Sequence, residues 1–568
     1  MKNEKVAHIL DRIADFMEMN DDVFRMKAYR KAAHTVETLS DDIVVMTEEN
    51  RLQELPGVGK AIASKIKEIV ETGSLEYFEN LKKEYPVDFD AMIEVEGLGP
   101  KTIKLLYDER GVENLDDLER HAKRHHVRRV KGMGDKKEKK ILENIELARK
   151  NSGRKLLGHI MPLAEAIKHQ IEVLKVVESV EIAGSIRRRK ESVGDIDLLV
   201  ISENSQEVMD YFVSLPIVDE IVAKGPLKST VVLKEGLDCD LRVFERDIFG
   251  AAMMYFTGSR EMNIELRKIA ISQNMKLSEW GLFKGDEIIA GKTEEDVFQS
   301  LGLQYIPPEM RENRGEIEAA RGGKIPELIG YYAIKGDLQV HTTWSDGKNT
   351  IKEMVHQAQK LGYEYLAITD HLGTLRTAEG MNESDILKQI QEIDSINDEM
   401  KDFTLLKGLE ADIDSEGNLN ISETILDKVD VVVASVHSDL RQDFFEMTNR
   451  MIKAMENPYV NIISHPTGRK IQEHREYDLN LDKIMENASD TGTILEINSH
   501  PNRLDLRDIY IKKAIDMGCK LVINSDAHSL SEMKNMQLGI ATARRGWARK
   551  EDMVNTFDLK KLTKILGN

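Results

Sequence analysis

The segment AGSIRRRKESVGDIDLLV sets two aspartates, Asp195 and Asp197, two positions apart in an apolar run. On a strand, residues i and i+2 leave the same face, so both carboxylates point one way. Asp240, in DCDLRV, lies in a second run of strand character and can bring a third carboxylate from a neighbouring strand. Three carboxylates at one point repel one another unless cations bind between them. Two Mg²⁺ ions about 4 Å apart would neutralise them and clamp an in-line displacement at phosphorus. Gly184 and Ser185 stand at a strand end before a turn, a place suited to triphosphate oxygens, and Arg188 can add charge-assisted bonds to the same group. A bare Asp-x-Asp can also be a polar strand end on a solvated surface. The Gly-Ser turn upstream and Asp240 downstream argue against that here.

A second set of reactive side chains lies toward the C-terminus. From Gly336 onward, seven apolar segments alternate with helical stretches: DLQVH, YLAITDH, LLKGLEAD, VVVASVHS, VNIISHP, TILEINSH and LVINSDAH. Nearly all end in His, Asp or Glu. Parallel strands alternating with helices, with chemistry at the strand C-termini, is the barrel pattern. The strand ends supply His341, Asp346, His371, Glu410, His437, His465, Asp526 and His528. Imidazole mixed with carboxylate suits Zn²⁺ or Mn²⁺, and the lack of cysteine among them disfavours a structural zinc site. One such histidine would read as an ordinary buried residue; eight ligand-type residues on one barrel face do not.

Residues 1–150 read as helices, with apolar residues at helical spacing in VAHILDRIADFM and IASKIKEIV. A short pattern recurs there: LPGVGKAIASKI, VEGLGPKTIKLL and VKGMGDKKEKKIL. Each is a Gly-x-Gly turn (Gly57 and Gly59, Gly97 and Gly99, Gly132 and Gly134) followed by a lysine-bearing amphipathic helix. Such a turn leaves unpaired N–H groups at a positive helix end, which can hold a phosphate without reading sequence. The chain carries 80 Lys+Arg against 100 Asp+Glu, a net charge of −20. The distribution matters more than the sum. Residues 120–140 hold ten Lys+Arg and two acids, a local cluster able to steer a phosphate backbone.

These motifs together resemble two known families. GS-x-RR…GDIDLLV, then DLRV and YFTGSREMNIELRKIA, with FRMKAYRKAA and the first two glycine turns, resemble the family X DNA polymerases over roughly residues 1–310. The resemblance implies that Asp195, Asp197 and Asp240 bind Mg²⁺ or Mn²⁺, and that Asp240 draws the proton from a primer 3′-hydroxyl. It implies that Gly184, Ser185, Arg188 and Gly194 hold the triphosphate of a dNTP. Tyr255, Phe256 and Gly258 would crowd the sugar 2′ position, and Asn263 and Arg267 would meet the new base pair in the minor groove. The glycine turns become helix–hairpin–helix DNA-binding motifs, and Lys65 falls where the family carries a Schiff-base lysine. Schiff-base chemistry needs a neutral amine. Lys60 and Lys67 are near, but a lysine usual in this helix is Ala61 here, so a solvated helix lysine is the alternative.

VHTTWSDG…TDH…GLEADI…VHS…SHP…SDAH resembles the polymerase and histidinol phosphatase (PHP) domain over about 335–568. The resemblance implies up to three ions: one on His341, Glu410 and Asp526, a second sharing Glu410 with His437 and His465, and a third on Asp346, His371 and His528. They would assist hydrolysis of a phosphodiester. The family's first motif is His-x-His, and its first position here is Gln339. An amide oxygen is a poor substitute for imidazole, so weaker binding is expected at the first site.

The elements needed to position these groups set the expected architecture. At 568 residues, the chain exceeds what one core can hold. The expected fold is multidomain α/β. Helical DNA-binding domains span 1–85 and 86–154, an α/β nucleotidyltransferase palm 155–245, and a thumb 246–312. A polar linker covers 313–334, and a distorted (βα)7 PHP barrel covers 335–568. Cys239 and Cys519 cannot build a disulfide framework, and no apolar run reaches 18 residues. The N-terminal stretch MKNEKVAHILDRIADF is charged and amphipathic rather than a signal peptide. A cytoplasmic monomer acting on gapped or primer–template DNA, with no membrane partner, is therefore expected. The implied function is gap-filling repair synthesis, with 3′→5′ exonuclease or 3′-end cleaning, and incision at abasic sites, at the barrel. Two alternatives remain: an inactive structural barrel, or a small-molecule phosphatase whose front half is accessory.

Overall fold

The computed structural model describes residues 2–37, 43–49, 51–72, 75–93, 95, 98–151, 154–373, 380–419, 421–440, 442–472 and 476–567. It forms two compact units. The first comprises Met1–Arg154 with Arg260–Ser278 and Leu282–Ile288; the second comprises Lys155–Ser259, Glu279–Gly281 and Ile289–Asn568.

Up to Asn151 the first unit is helical around one core. Its helix Lys60–Thr72 buries Ile62, Ala63, Ile66 and Ile69, one stripe at three- and four-residue spacing. One backbone hydrogen bond recurs at the three turns. Val58 N–H donates to the Leu55 carbonyl, Leu98 to Val95 and Met133 to Val130, at 3.0, 2.9 and 2.9 Å. Gly57 and Gly132 sit at φ +87° and +79°, where a side chain would be strained. Gly97, their counterpart, lies outside the described residues. A Cβ added at Gly59, Gly99 or Gly134 would meet nothing within 4 Å, so each helix N-terminus opens onto free space.

In the second unit, β1 (Val177–Ile182), β2 (Asp195–Ser202), β3 (Val218–Lys224), β4 (Lys228–Leu233) and β5 (Asp238–Phe244) form a sheet in the order β1-β2-β5-β4-β3. Only β2 and β5 run parallel. Ile196, Leu198 and Val200 of β2 join Cys239, Leu241 and Val243 of β5 in a core that includes helix Leu157–Glu172. Alternation therefore turns Asp195 and Asp197 to the opposite face.

Seven further strands follow: β6 (Gly336–Val340), β7 (Tyr365–Ile368), β8 (Thr404–Asp412), β9 (Val431–Ser435), β10 (Ile462–Ile463), β11 (Ile494–Asn498) and β12 (Leu521–Asn524). Each pairs in parallel with the next, and a bridge between Val340 and Ala527 nearly closes the ring. The expected multidomain α/β architecture with a (βα)7 barrel is borne out. Leu338, Tyr365, Ala367, Val431, Val433, Ile462, Ile494 and Val522 cluster with Leu562 and Leu566 of the C-terminal helix Leu559–Leu566. Asn461 Nδ2 ties that helix end, donating to the Leu566 carbonyl at 2.9 Å. This apolar plug leaves the strand C-termini as the polar end. The polar stretch after residue 312 holds a helix, Glu316–Arg321, and buries Ile317, Ala320 and Ile329. Among the described residues, no helix is long and apolar enough to cross a membrane.

Candidate active sites

Register builds the first site. In the parallel β2–β5 pair, Asp197 lies opposite Asp240 and Asp195 opposite Asp238. Neighbouring strands are about 4.8 Å apart, so Asp195, Asp197 and Asp240 leave two adjacent strands on one face. Burial, with Asp195 and Asp240 close by, pushes the Asp197 carboxyl up to about 7. That is the cost of packing anions together, and a divalent cation would remove it. Asp240 is already held by donors: Thr230 Oγ1 at 2.5 Å, Arg242 Nη2 at 2.7 Å and Lys228 Nζ at 3.1 Å. The Arg242 guanidinium in turn lies 4.5 Å from the centroid of the Phe256 ring.

The turn beside the aspartates requires glycine. Gly184 has φ +61°, and a Cβ there would lie 2.3 Å from Asp197 Oδ2. Next to it, the Ser185 hydroxyl is buried without a hydrogen-bond partner. A buried donor left unpaired costs free energy, and a phosphoryl oxygen would satisfy it. Arg188 Nε donates to Glu312 at 3.1 Å, and its Nη1 donates to the Thr257 carbonyl. Arg187 donates to Thr257 Oγ1 at 2.6 Å and pairs with Glu294 at 2.6 Å, which Arg311 also holds at 2.6 Å. Burial alone would raise the Glu294 carboxyl, but Arg311 and Arg187 bring it down to about 2. This buried cluster fixes the segment carrying Tyr255, Phe256 and Gly258; the two rings meet edge to face at 5.1 Å. Gly194 immediately precedes β2.

Asn263 and Arg267 lie four positions apart on helix Arg260–Ser272, hence on one face, within the first unit. Lys65 Nζ lies 4.7 Å from the centroid of the Tyr77 ring.

At the polar end of the barrel, ligand-type atoms gather in three overlapping groups: His341–Asp346–His371–His528, His371–Glu410–His437, and His341–Glu410–Asp526. Within each group they lie within 4.8 Å of one another. The first expected set is therefore brought together as such. His371 takes the place expected for His465 beside Glu410 and His437, and His341 joins the third set. His465 Nε2 still lies 3.9 Å from Glu410 Oε1, and His437 Nε2 is 3.4 Å from that oxygen. His465 and Asp526 sit at φ +30° and +54°, sparsely populated values for such residues and common at functional sites. Both ring nitrogens of His341, Nδ1 of His371 and His465, and Oε1 of Glu410 are buried with no hydrogen bond. Such groups are costly unless they bind something, and divalent cations fit this nitrogen and oxygen donor set. Burial opposes charge on Glu410, but His371, His341 and His437 hold its carboxyl well below the usual range.

Gln339 is fully buried, and its amide nitrogen faces these acids: Nε2 donates to Glu410 Oε2 at 2.9 Å and to Asp526 Oδ1 at 3.4 Å, while its oxygen accepts from Ser464. It therefore holds two ligand-type carboxylates in place with its amide nitrogen and turns its oxygen to Ser464. Sequence reasoning missed this role and three others. Glu496 accepts from Ser464, the His465 N–H, Asn498 and Asn524. Asp370 accepts from Thr342, Ser345 and Gln389 at 2.6–2.7 Å. Asp412 accepts the His437 N–H at 2.9 Å. For Glu496 and Asp370 the signal was present, as an acid within two residues of a strand-end asparagine or histidine; Asp412 has Glu410 as its strand-end neighbour and no histidine or asparagine that near.

Comparison with known proteins covers the regions that carry both sites. The DNA polymerase beta palm family matches residues 159–265 and the DNA polymerase beta thumb family residues 252–312. A helix–hairpin–helix domain matches 1–75, a SAM-like helix–hairpin–helix tandem 89–146, and the PHP domain 337–500. A Bacillus subtilis (strain 168) protein named DNA polymerase/3′-5′ exonuclease PolX is 35% identical over 571 residues, spanning 100% of this chain and 99% of the relative. The chain belongs to the PolX family. Its PolX architecture accounts for every matched domain, from hairpins to barrel. A probable phosphatase of Thermoanaerobacter sp. (strain X514) is 31% identical over 242 residues, covering 40% of this PolX chain and 94% of the relative. A probable phosphatase of Caldanaerobacter subterraneus subsp. tengcongensis is 32% identical over 203 residues, or 34% of the chain and 75% of the relative.

Proposed function

We propose that this PolX chain fills short gaps in damaged DNA by template-directed addition of dNTPs, and that its barrel trims 3′ ends. The observation that carries the reading is the in-register meeting of Asp197 with Asp240, with Asp195 two residues along the same face. In this reading, Ser185 Oγ donates to the triphosphate and Arg188 pairs with its charge, while Gly184 and Gly194 let the backbone approach. Asp240 takes the proton from the primer 3′-hydroxyl. The freed oxygen attacks the α-phosphorus, and pyrophosphate leaves. Phe256 stacks on Arg242 and so keeps Asp240 in place, while Tyr255 and Gly258 set the room at the sugar. Asn263 and Arg267 contact the nascent pair, and the turns at Gly57–Gly59 and Gly97–Gly99 hold the DNA backbone.

Asp195, Asp197 and Asp240 would hold Mg²⁺ or Mn²⁺, which supplies charge neutralisation at the reacting phosphates. In the barrel, His341, Asp346, His371, Glu410, His437, His465, Asp526 and His528 would hold Mn²⁺ or Zn²⁺, with Gln339 orienting Glu410 and Asp526. The full-length match to a PolX relative, against partial matches to phosphatases, favours a DNA 3′ end over a small phosphate ester as substrate. The cytoplasm fits a chain whose two cysteines, Cys239 and Cys519, are both free. A 5′-labelled primer on a gapped duplex, incubated with Mg²⁺ and then Mn²⁺, tests both halves on one gel. Extension with dNTPs and shortening without them support the proposal; neither product, or hydrolysis of sugar phosphates alone, rejects it.

A further inference from the structure

Arg188 does not stand alone in its turn. The Glu312 carboxylate that accepts its Nε at 3.1 Å is shared with Lys190 Nζ at 3.4 Å and with Arg545 Nη1 at 3.1 Å. Arg545 belongs to the barrel, at the end of helix Met536–Arg545, and is 7% exposed. Its Nη1 also donates to the backbone carbonyl of Arg188 at 2.7 Å. Its Nη2 is fixed by Asp508 at 2.6 Å, and Asp508 is paired in turn with Arg314 at 3.0 Å. One barrel guanidinium therefore touches both the main chain of the Gly184–Arg188 turn and the acid that occupies that turn's arginine. The planar fork of an arginine can reach all three acceptors at once, which a lysine cannot.

We infer that Arg545 is a positioning residue for nucleotide binding: by sharing Glu312, it lets Arg188 exchange that carboxylate for an incoming triphosphate. The inference rests on Arg188 being a triphosphate ligand. Glu312 is nearly buried, where charge pairing is stronger than in water. With three cations on one carboxylate, each is held less tightly than it would be with two. Removing Arg545 leaves Glu312 to Arg188 and Lys190, so a triphosphate must compete harder for Arg188. It also releases the Arg188 carbonyl and loosens the turn. The barrel would thus support the polymerase centre through a contact that involves none of the barrel's own ligand groups.

Single-nucleotide gap filling by the full chain, read as dNTP KM and kcat, tests this, with barrel 3′ trimming and thermal melting measured alongside. Arg545→Met is expected to raise dNTP KM about tenfold while kcat changes little, the signature of lost binding rather than lost chemistry. Adding Glu312→Gln should bring KM back toward the wild-type value. Glu312→Gln alone, which does not depend on Arg545 variants folding, should lower KM. An unchanged KM in Arg545→Met overturns the inference. So does a fall in kcat and trimming together without a KM change, a double variant no better than the single, or a KM that Glu312→Gln leaves unchanged or raises. Arg188→Ala serves as the control: if it leaves KM unaltered, the assignment of Arg188 itself fails, whereas a rise there with no effect at Arg545 rejects only the barrel's part.

Discussion

The palm and the barrel both gather acids, but they hold them differently. In the palm, three aspartates come from two neighbouring strands, and Asp240 keeps Thr230, Arg242 and Lys228 as partners. In the barrel, ligand-type side chains come from the ends of several strands, and several of their ring nitrogens are buried with no hydrogen bond. A site with one acid already held by three donors can stand ready and gain cations with its substrate. A site of buried imidazole nitrogens without hydrogen bonds is stabilised by its cations. The difference predicts that palm substitutions change catalysis alone, while barrel substitutions change metal retention as well.

The strongest way to break this comparison is Asp240→Ala. It should lower gap filling by about 10³-fold or more, the scale of losing metal-assisted chemistry, and leave 3′ trimming unaltered. Next is His437→Ala, which should cut trimming by about 10²-fold and release barrel metal, as read by metal analysis after dialysis, with extension kept. Equal loss of both activities in either variant would mean that the two sites are not separate.

Glu294 sharpens the palm side. Its folded pKa is depressed to about 2 from 4.5, so its contribution is present above about pH 4.5 and lost as pH falls toward 2. Glu294→Gln should cost about 3 kcal/mol at neutral pH and flatten acid denaturation in that window, measured by urea unfolding across pH. The smallest expected effect is at Gln339→Ala, about tenfold weaker barrel metal binding by titration, because the acids lose a donor that orients them. Tighter binding instead would show that the amide obstructs the site.

Much of this was legible in the sequence because the informative features are local. The Asp195–Asp197 spacing, the Gly-x-Gly turns and the polar ends of seven apolar runs each depend on a period of two or on a turn residue. What escaped depends on distant pairing. Nothing near Glu294 in sequence announces Arg187 or Arg311, and nothing near Arg188 announces Arg545. Strand β3 was missed because all but its first residue are exposed, so it lacks the alternation that marks a strand. The polar stretch after residue 312 reads as linker, yet Glu316 is buried there because its carboxylate accepts the N–H groups of Asn313 and Arg314. Composition records polarity but not whether that polarity is satisfied. Gln339 reads as a ligand lost from the barrel, and only its hydrogen bonds reveal a support for the Glu410 and Asp526 carboxylates.

The most direct test of two separate centres in one chain uses a labelled primer on a gapped duplex with Asp195→Ala/Asp197→Ala protein. With dNTPs present, the account predicts that wild type lengthens the primer and that the double variant only shortens it. Lengthening by the variant at the wild-type rate would contradict the account.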